Sequence, residues 1–180
     1  MRPVWYIACE KFGPHTHKGW DKYLTWAKLP HLIEVVSLDV VLCPSVIEHL
    51  TAEDWGHNVA EDFKTDLFAD LDYLVQRVGD LTSVNILATI EEPGIEDLTS
   101  FQDDRFVFKG FDLVERPGLG ISALVNCGGF DKAFLPDELN QSGLISDYGF
   151  AREVQERLVK YYPEHEHAHC LVWAIWRMEV

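Results

Sequence analysis

The sequence predicts one α+β domain spanning residues 1–180, in which a mixed or mostly antiparallel sheet of about six strands is covered by two main helices. Three observations lead there. The 180 residues are 47% apolar and 12% aromatic, enough for a sizeable core and too apolar for disorder. Runs with period two and runs with helical period are mixed, without the regular alternation of a doubly wound fold. A turn-rich stretch, Arg116-Pro-Gly-Leu-Gly120, sits mid-chain between two strand-like runs and predicts a β-hairpin.

Val4 to Cys9 is a short apolar run that predicts a first strand. Trp20, Tyr23, Leu24 and Ala27 then fall at i, i+3, i+4 and i+7, the spacing of one helix face, and Pro30 limits that helix. Leu32 to Leu42 is rich in β-branched residues and too apolar for a surface strand, so it is expected inside the sheet. Thr51-Ala-Glu-Asp54 has the spacing of a helix N-terminal box. Val59, Phe63, Leu67, Leu71, Leu74 and Val78 continue at three and four residues up to Gly79, predicting one long helix. Val84 to Ile90 alternates as an inner strand. Phe106–Glu115 and Ile121–Cys127 form the two arms of the expected hairpin. Asp147 or Ser146 caps a second helix with Phe150, Val154, Leu158 and Tyr161 on one face, closed by Pro163. Leu171 to Met178 reads as a closing strand with Trp173 and Trp176 on opposite faces.

The N-terminal apolar run is shorter than a signal peptide's, and no stretch reaches the length of a membrane span, so a cytoplasmic protein is expected. Cys9, Cys43, Cys127 and Cys170 are widely spaced with no C-x-x-C pair, consistent with free, mostly buried thiols.

Thirty Asp and Glu against fifteen Lys and Arg give a net charge of -15. That balance excludes direct nucleic-acid binding and attraction to anionic membranes, both of which need a concentrated basic surface. The charge is segregated: residues 51–104 hold fourteen acids and only Lys64 and Arg77, a net of -12, between flanks at 0 and -3. On the expected long helix Asp62, Asp66 and Asp70 recur every four residues, with Tyr73 next along the stripe. The loop after the following strand adds Glu91, Glu92, Glu96, Asp97, Asp103 and Asp104. Such a surface steers a basic protein partner, as in immunity proteins and nucleic-acid mimics by analogy of charge alone, and predicts a non-enzymatic binding or inhibitory protein. The same pattern on a solvated face serves solubility only.

Other motifs are weaker. His165-Glu166-His167-Ala168-His169 matches H-E-x-x-H, but the segment follows Pro163, precedes a strand and has no third ligand downstream. If extended, His165, His167 and His169 would share one side and offer neutral imidazoles to a metal; the competing reading is a polar loop, and no cofactor is indicated. Gly118-Leu-Gly120-Ile-Ser-Ala123 has the letters of a dinucleotide fingerprint without a helix to follow it. Cys127, before Gly128 and Gly129, is the candidate thiol nucleophile, needing a histidine such as His169 nearby; with the His165–His169 cluster it supports the alternative of a small hydrolase or metal-dependent enzyme.

Overall fold

A computed structural model describes residues 1–57, 66–115, 120–127 and 130–179. Its centre is a four-stranded antiparallel sheet: β1 (Trp5–Glu10), β2 (Val84–Glu91), β3 (Phe106–Val114) and β4 (Leu171–Met178), in spatial order β1-β2-β4-β3. The C-terminal strand is therefore central, which is why seven consecutive apolar and aromatic residues precede Arg177 only where both faces are covered. Trp173 lies opposite Asp112 and Glu91, and Trp176 opposite Ala88 and Phe108, so the two indoles take opposite faces as their spacing predicts.

Helices flank one face. The helix α5 (Tyr148–Tyr161) packs on β3 and β4, with Asp147 accepting from the Phe150 amide as its N-cap, and buries Ala151, Val154 and Leu158. On that face Tyr148 meets Phe111, and Phe101 and Phe108 lie against Trp176. The other face carries Cys9, Asn85, Arg177 and Asp112 and is covered by irregular chain. Part of that cover is the helix α1 (Trp20–Ala27), whose Tyr23 donates to the Val125 carbonyl at 2.8 Å.

Among the described residues two expected strands do not form, and the expected long helix is not continuous. Most of residues 32–42 are buried, with Ile33 and Val41 exposed, but their amides do not join the sheet's ladder: those of Ile33 and Val36 bond to the carbonyls of Gln141 and Ser142, and that of Leu38 to the Asp112 side chain. Apolar β-branched character marked burial there, not pairing. The second hairpin arm makes one isolated bridge, Val114 to Ser122, and then turns; residues 116–119 of the expected turn lie outside the described residues.

Within the predicted helix over 51–79 the described residues form α2 (Ala52–Trp55) and α3 (Leu71–Val78), and Val59 and Phe63 of its predicted face lie outside the described residues. Phe68 exchanges two backbone hydrogen bonds of 2.8 Å with Tyr6 on the open edge of β1, which fixes that residue in extended backbone. Edge pairing outcompetes helical periodicity. Asp70 then caps the new helix, its Oδ1 accepting from the Tyr73 amide at 3.0 Å. A further helix, α4 (Ile95–Ser100), occupies what reads as an acidic loop.

Candidate functional site

The site is built on two buried carboxylates. Asp112 leaves β3 on the face covered by irregular chain and accepts from the Ser37 hydroxyl (2.6 Å), the Ser122 hydroxyl (2.7 Å) and the Leu38 amide (3.1 Å). Burial pushes its carboxyl above the usual value, against the pull of these donors. Asp39 folds its own segment into a turn by accepting from the Val41 and Leu42 amides at 2.8 Å, the local bonding that favours Asp in turns. It also accepts from the Ser122 amide at 2.6 Å and from Asn126 Nδ2 at 3.0 and 3.1 Å. The carboxylates thus lock residues 122–126, and with them the position of Cys127.

Opposite this turn, a 3₁₀ helix (Glu166–His169) follows the Pro163 break. His165 Nδ1 accepts from the His167 amide at 3.2 Å and starts it. The turn buries His167 and leaves His165, Glu166 and His169 exposed, so the three histidines do not share a side; the extended reading of this segment is overturned by the helical backbone. His167 Nε2 contacts Cys127 Sγ at 2.5 Å, and its Nδ1 lies 3.4 Å from Cys170 Sγ. One imidazole is therefore held between two thiols. The ring of Phe130 closes edge-on against both His165 and His167.

Burial, with the charges of Glu166 and Asp39, pushes the Cys127 thiol up to about 12. Burial, then the neighbouring His165, pushes His167 below its ordinary 6.5. At neutral pH both partners rest uncharged, unlike a thiolate–imidazolium pair. The tautomer protonated on Nδ1 leaves Nε2 to take the Cys127 proton, while Cys170 Sγ accepts from Nδ1. A thiol, a base in contact with it and a third group orienting the base form the arrangement of an activated nucleophile.

The acidic positions are scattered by comparison. Asp62 lies outside the described residues, and Asp66 and Asp70 share no helix face. Asp66 is half-buried, and its carboxyl is raised by burial against a bond from Ser45. Tyr73 stacks on His57 at 3.9 Å and donates to Asp54 at 2.7 Å. Glu91 ends β2, half-buried opposite Trp173. Glu92 stands at φ 46°, accepting from the Val172 amide (2.7 Å) and Gln155 (3.0 Å) and pairing with Arg152. Glu96 is exposed on α4, whereas Asp97 is buried and accepts from the Gly94 and Arg2 amides, both at 2.8 Å. Asp103 pairs with Arg105 at 2.7 Å.

His165, Glu166 and His167 bring ligand atoms within 4.8 Å of one another, and His169 is not in that group. Both ring nitrogens of His167 already face sulfur, so the triplet has only two uncommitted members. Among the described residues no helix is long and apolar enough to cross a membrane. Comparison with known proteins finds no matching family, curated protein or solved structure.

The sequence indicates Cys127 with a histidine such as His169 beside it; the histidine in contact with it is His167. Asp39, Asp112, Ser122 and Cys170 were missed as members of the site. The visible signal was slight: two Asp residues inside apolar runs, at positions where a core tolerates a carboxylate only if it is hydrogen-bonded.

Proposed function

We propose that the protein performs thiol-dependent acyl transfer on a small ester or thioester, with Cys127 as nucleophile and His167 as general base. The contact between Cys127 Sγ and His167 Nε2 carries this reading. As Sγ bonds to the acyl carbon, the thiol proton passes to Nε2. The imidazolium returns that proton to the departing alcohol or thiol as its bond to the acyl carbon breaks, leaving a thioester on Cys127. Water, deprotonated by His167, then releases the acid and restores the thiol. Asp39 and Asn126 position the nucleophile without touching the acyl group.

The test uses p-nitrophenyl acetate with the whole chain. A nitrophenolate burst and an acetyl group mapped to Cys127 are expected, both abolished in Cys127→Ala and slowed about 100-fold or more in His167→Gln. Acetylation spread over other residues, or no burst, overturns the proposal.

A second reading rests on the net -12 of residues 51–104: an acidic surface that docks a basic protein partner in an immunity-like, inhibitory manner. Among the described residues Glu53, Asp72, Asp80, Glu96 and Asp104 are its exposed members, the Asp72 side chain 91% exposed. Capture of a basic protein that falls steeply at about 0.5 M salt and in Asp72→Asn with Glu96→Gln supports it; capture indifferent to both removes it.

A further inference from the structure

Glu166 stands beside the Cys127–His167 pair with no charge to answer it. It is exposed on the 3₁₀ turn between two histidines, and its carboxylate lies within 4.8 Å of a ring nitrogen of both His165 and His167. Cys127 Sγ meets the same His167 ring at Nε2, so the carboxylate and the sulfur are neighbours of one imidazole. Neither histidine neutralises Glu166 at neutral pH. His165 Nδ1 accepts from the His167 amide, which a doubly protonated ring cannot do, and burial holds His167 in its uncharged form.

The other charges around the thiols have the same sign. Burial raises the Cys127 thiol first, and the carboxylates of Glu166 and Asp39 raise it further; burial and then Asp112, Glu115 and Glu166 raise Cys170. Among the described residues no lysine or arginine lies within ion-pair distance of Glu166, Asp39 or Glu115. A substrate carrying phosphate or carboxylate would therefore enter against a negative field, on a chain whose net charge is -15. A positively charged substrate is drawn in, and its own cation offsets the negative charge that grows on the acyl oxygen as Sγ adds.

We infer that this site takes an ester or thioester that bears an ammonium group on its acyl chain, and that Glu166 receives the ammonium. The inference rests on the acyl-transfer reading and adds its substrate class. Carried on the acyl chain, the cation stays beside Glu166 through acylation and hydrolysis, both of which pass through His167. The covalent steps are unchanged: Sγ bonds to the acyl carbon, the thiol proton crosses to His167 Nε2 and leaves with the departing alcohol or thiol, and water releases the cationic acid. Glu166 forms no bond in any step; it holds the cation by charge.

The experiment compares three p-nitrophenyl esters with the same leaving group: the γ-trimethylammonio-butyrate, its neutral tert-butyl analogue and the anionic γ-sulfo-butyrate. The nitrophenolate burst gives the acylation rate constant, and peptide mass spectrometry locates the acyl group on Cys127. With the whole chain at about 0.01 M salt, the cationic ester should acylate Cys127 about fivefold faster than the neutral one, and the anionic ester about fivefold slower. Both gaps should narrow at about 0.15 M salt. Glu166→Gln should shrink both to about twofold or less. Glu164→Gln, which removes the same charge from another exposed position nearby in the chain, should keep them. Equal rates for the three esters in the parent, or a fastest anionic ester, overturn the inference and leave the acyl-transfer reading standing. So do gaps that survive Glu166→Gln undiminished or that vanish equally in Glu164→Gln. Failure of every ester to acylate Cys127 removes both.

Discussion

Replacing Asp54 with Asn tests the physical logic of the helical layer. The side chain is fully buried, yet its carboxylate is the hub joining α2 to α3. It accepts from the Thr51 amide (2.7 Å) and hydroxyl (2.9 Å), from the Tyr73 hydroxyl (2.7 Å) and from Arg77 Nε (3.1 Å). Burial alone would raise its pKa; these donors outweigh it and hold the carboxyl down, from 3.8 to about 2. Asparagine keeps the shape, removes the charge and turns one acceptor into a donor facing Thr51. Bonds to a charged group contribute about 1.5–3 kcal/mol each, and at least two are lost. Arg77, 36% exposed, regains water, which discounts its share. The net loss is about 2–3 kcal/mol, or roughly 5–10 °C in Tm for a chain of this size. Ionised Asp54 has a lower pKa folded than unfolded, so its contribution is complete above about pH 4 and disappears as pH falls through about 2. Urea unfolding at pH 7 and at steps from pH 5 to 2 measures both effects. A loss below about 0.5 kcal/mol at pH 7, or parallel acid limbs for parent and variant, would show that Asp54 is not the hub joining α2 to α3.

Other substitutions probe separate joints. Gly110 sits at the β3 register shift with φ 139°, where a Cβ would approach the Ile145 carbonyl oxygen to 2.7 Å, so Gly110→Ala should cost about 2 kcal/mol or more in chemical denaturation; a neutral result would contradict the close crossing. Glu92→Gln weakens the junction of β2, β4 and α5, and a loss of about 1–2 kcal/mol is expected, with Arg152→Gln costing little beyond it in the double variant because the two share one interaction. Since His167 is held below 6.5, the unfolded chain takes up its proton first, and stability should fall as pH drops from 6.5 through the folded value. In His167→Gln this part of the pH slope should be missing; an unchanged slope would show that the imidazole is not buried.

The fold was legible where local pattern and tertiary demand agree. Four of the expected strands, and the helices led by Trp20 and Asp147, form within a residue or two of their expected ends. Residues 32–42 show why the rest was not: their apolar, β-branched letters report burial, and nothing local says that Ser142 and Asp112, far along the chain, take their amides. The 51–79 helix failed for a similar reason. Leu67, Leu71 and Leu74 keep helical spacing, yet pairing of Phe68 with β1 breaks the helix and turns Asp70 from a stripe member into a cap. At the site, Cys127 could be picked out by its glycine neighbours. His167 could not be preferred over His169, because a 3₁₀ turn buries the one and exposes the other.

The proposed chemistry requires a neutral Cys127 thiol that surrenders its proton to His167 during attack. The pH profile of Cys127 alkylation by iodoacetamide, read by peptide mass spectrometry between pH 5 and 10, tests this directly. The expected rate rises through the lowered pKa of His167, holds a plateau across neutrality, and climbs again only towards the raised thiol pKa near 12, with the plateau lost in His167→Gln. A single rise at an ordinary thiol value near 9, the same in parent and variant, would contradict it.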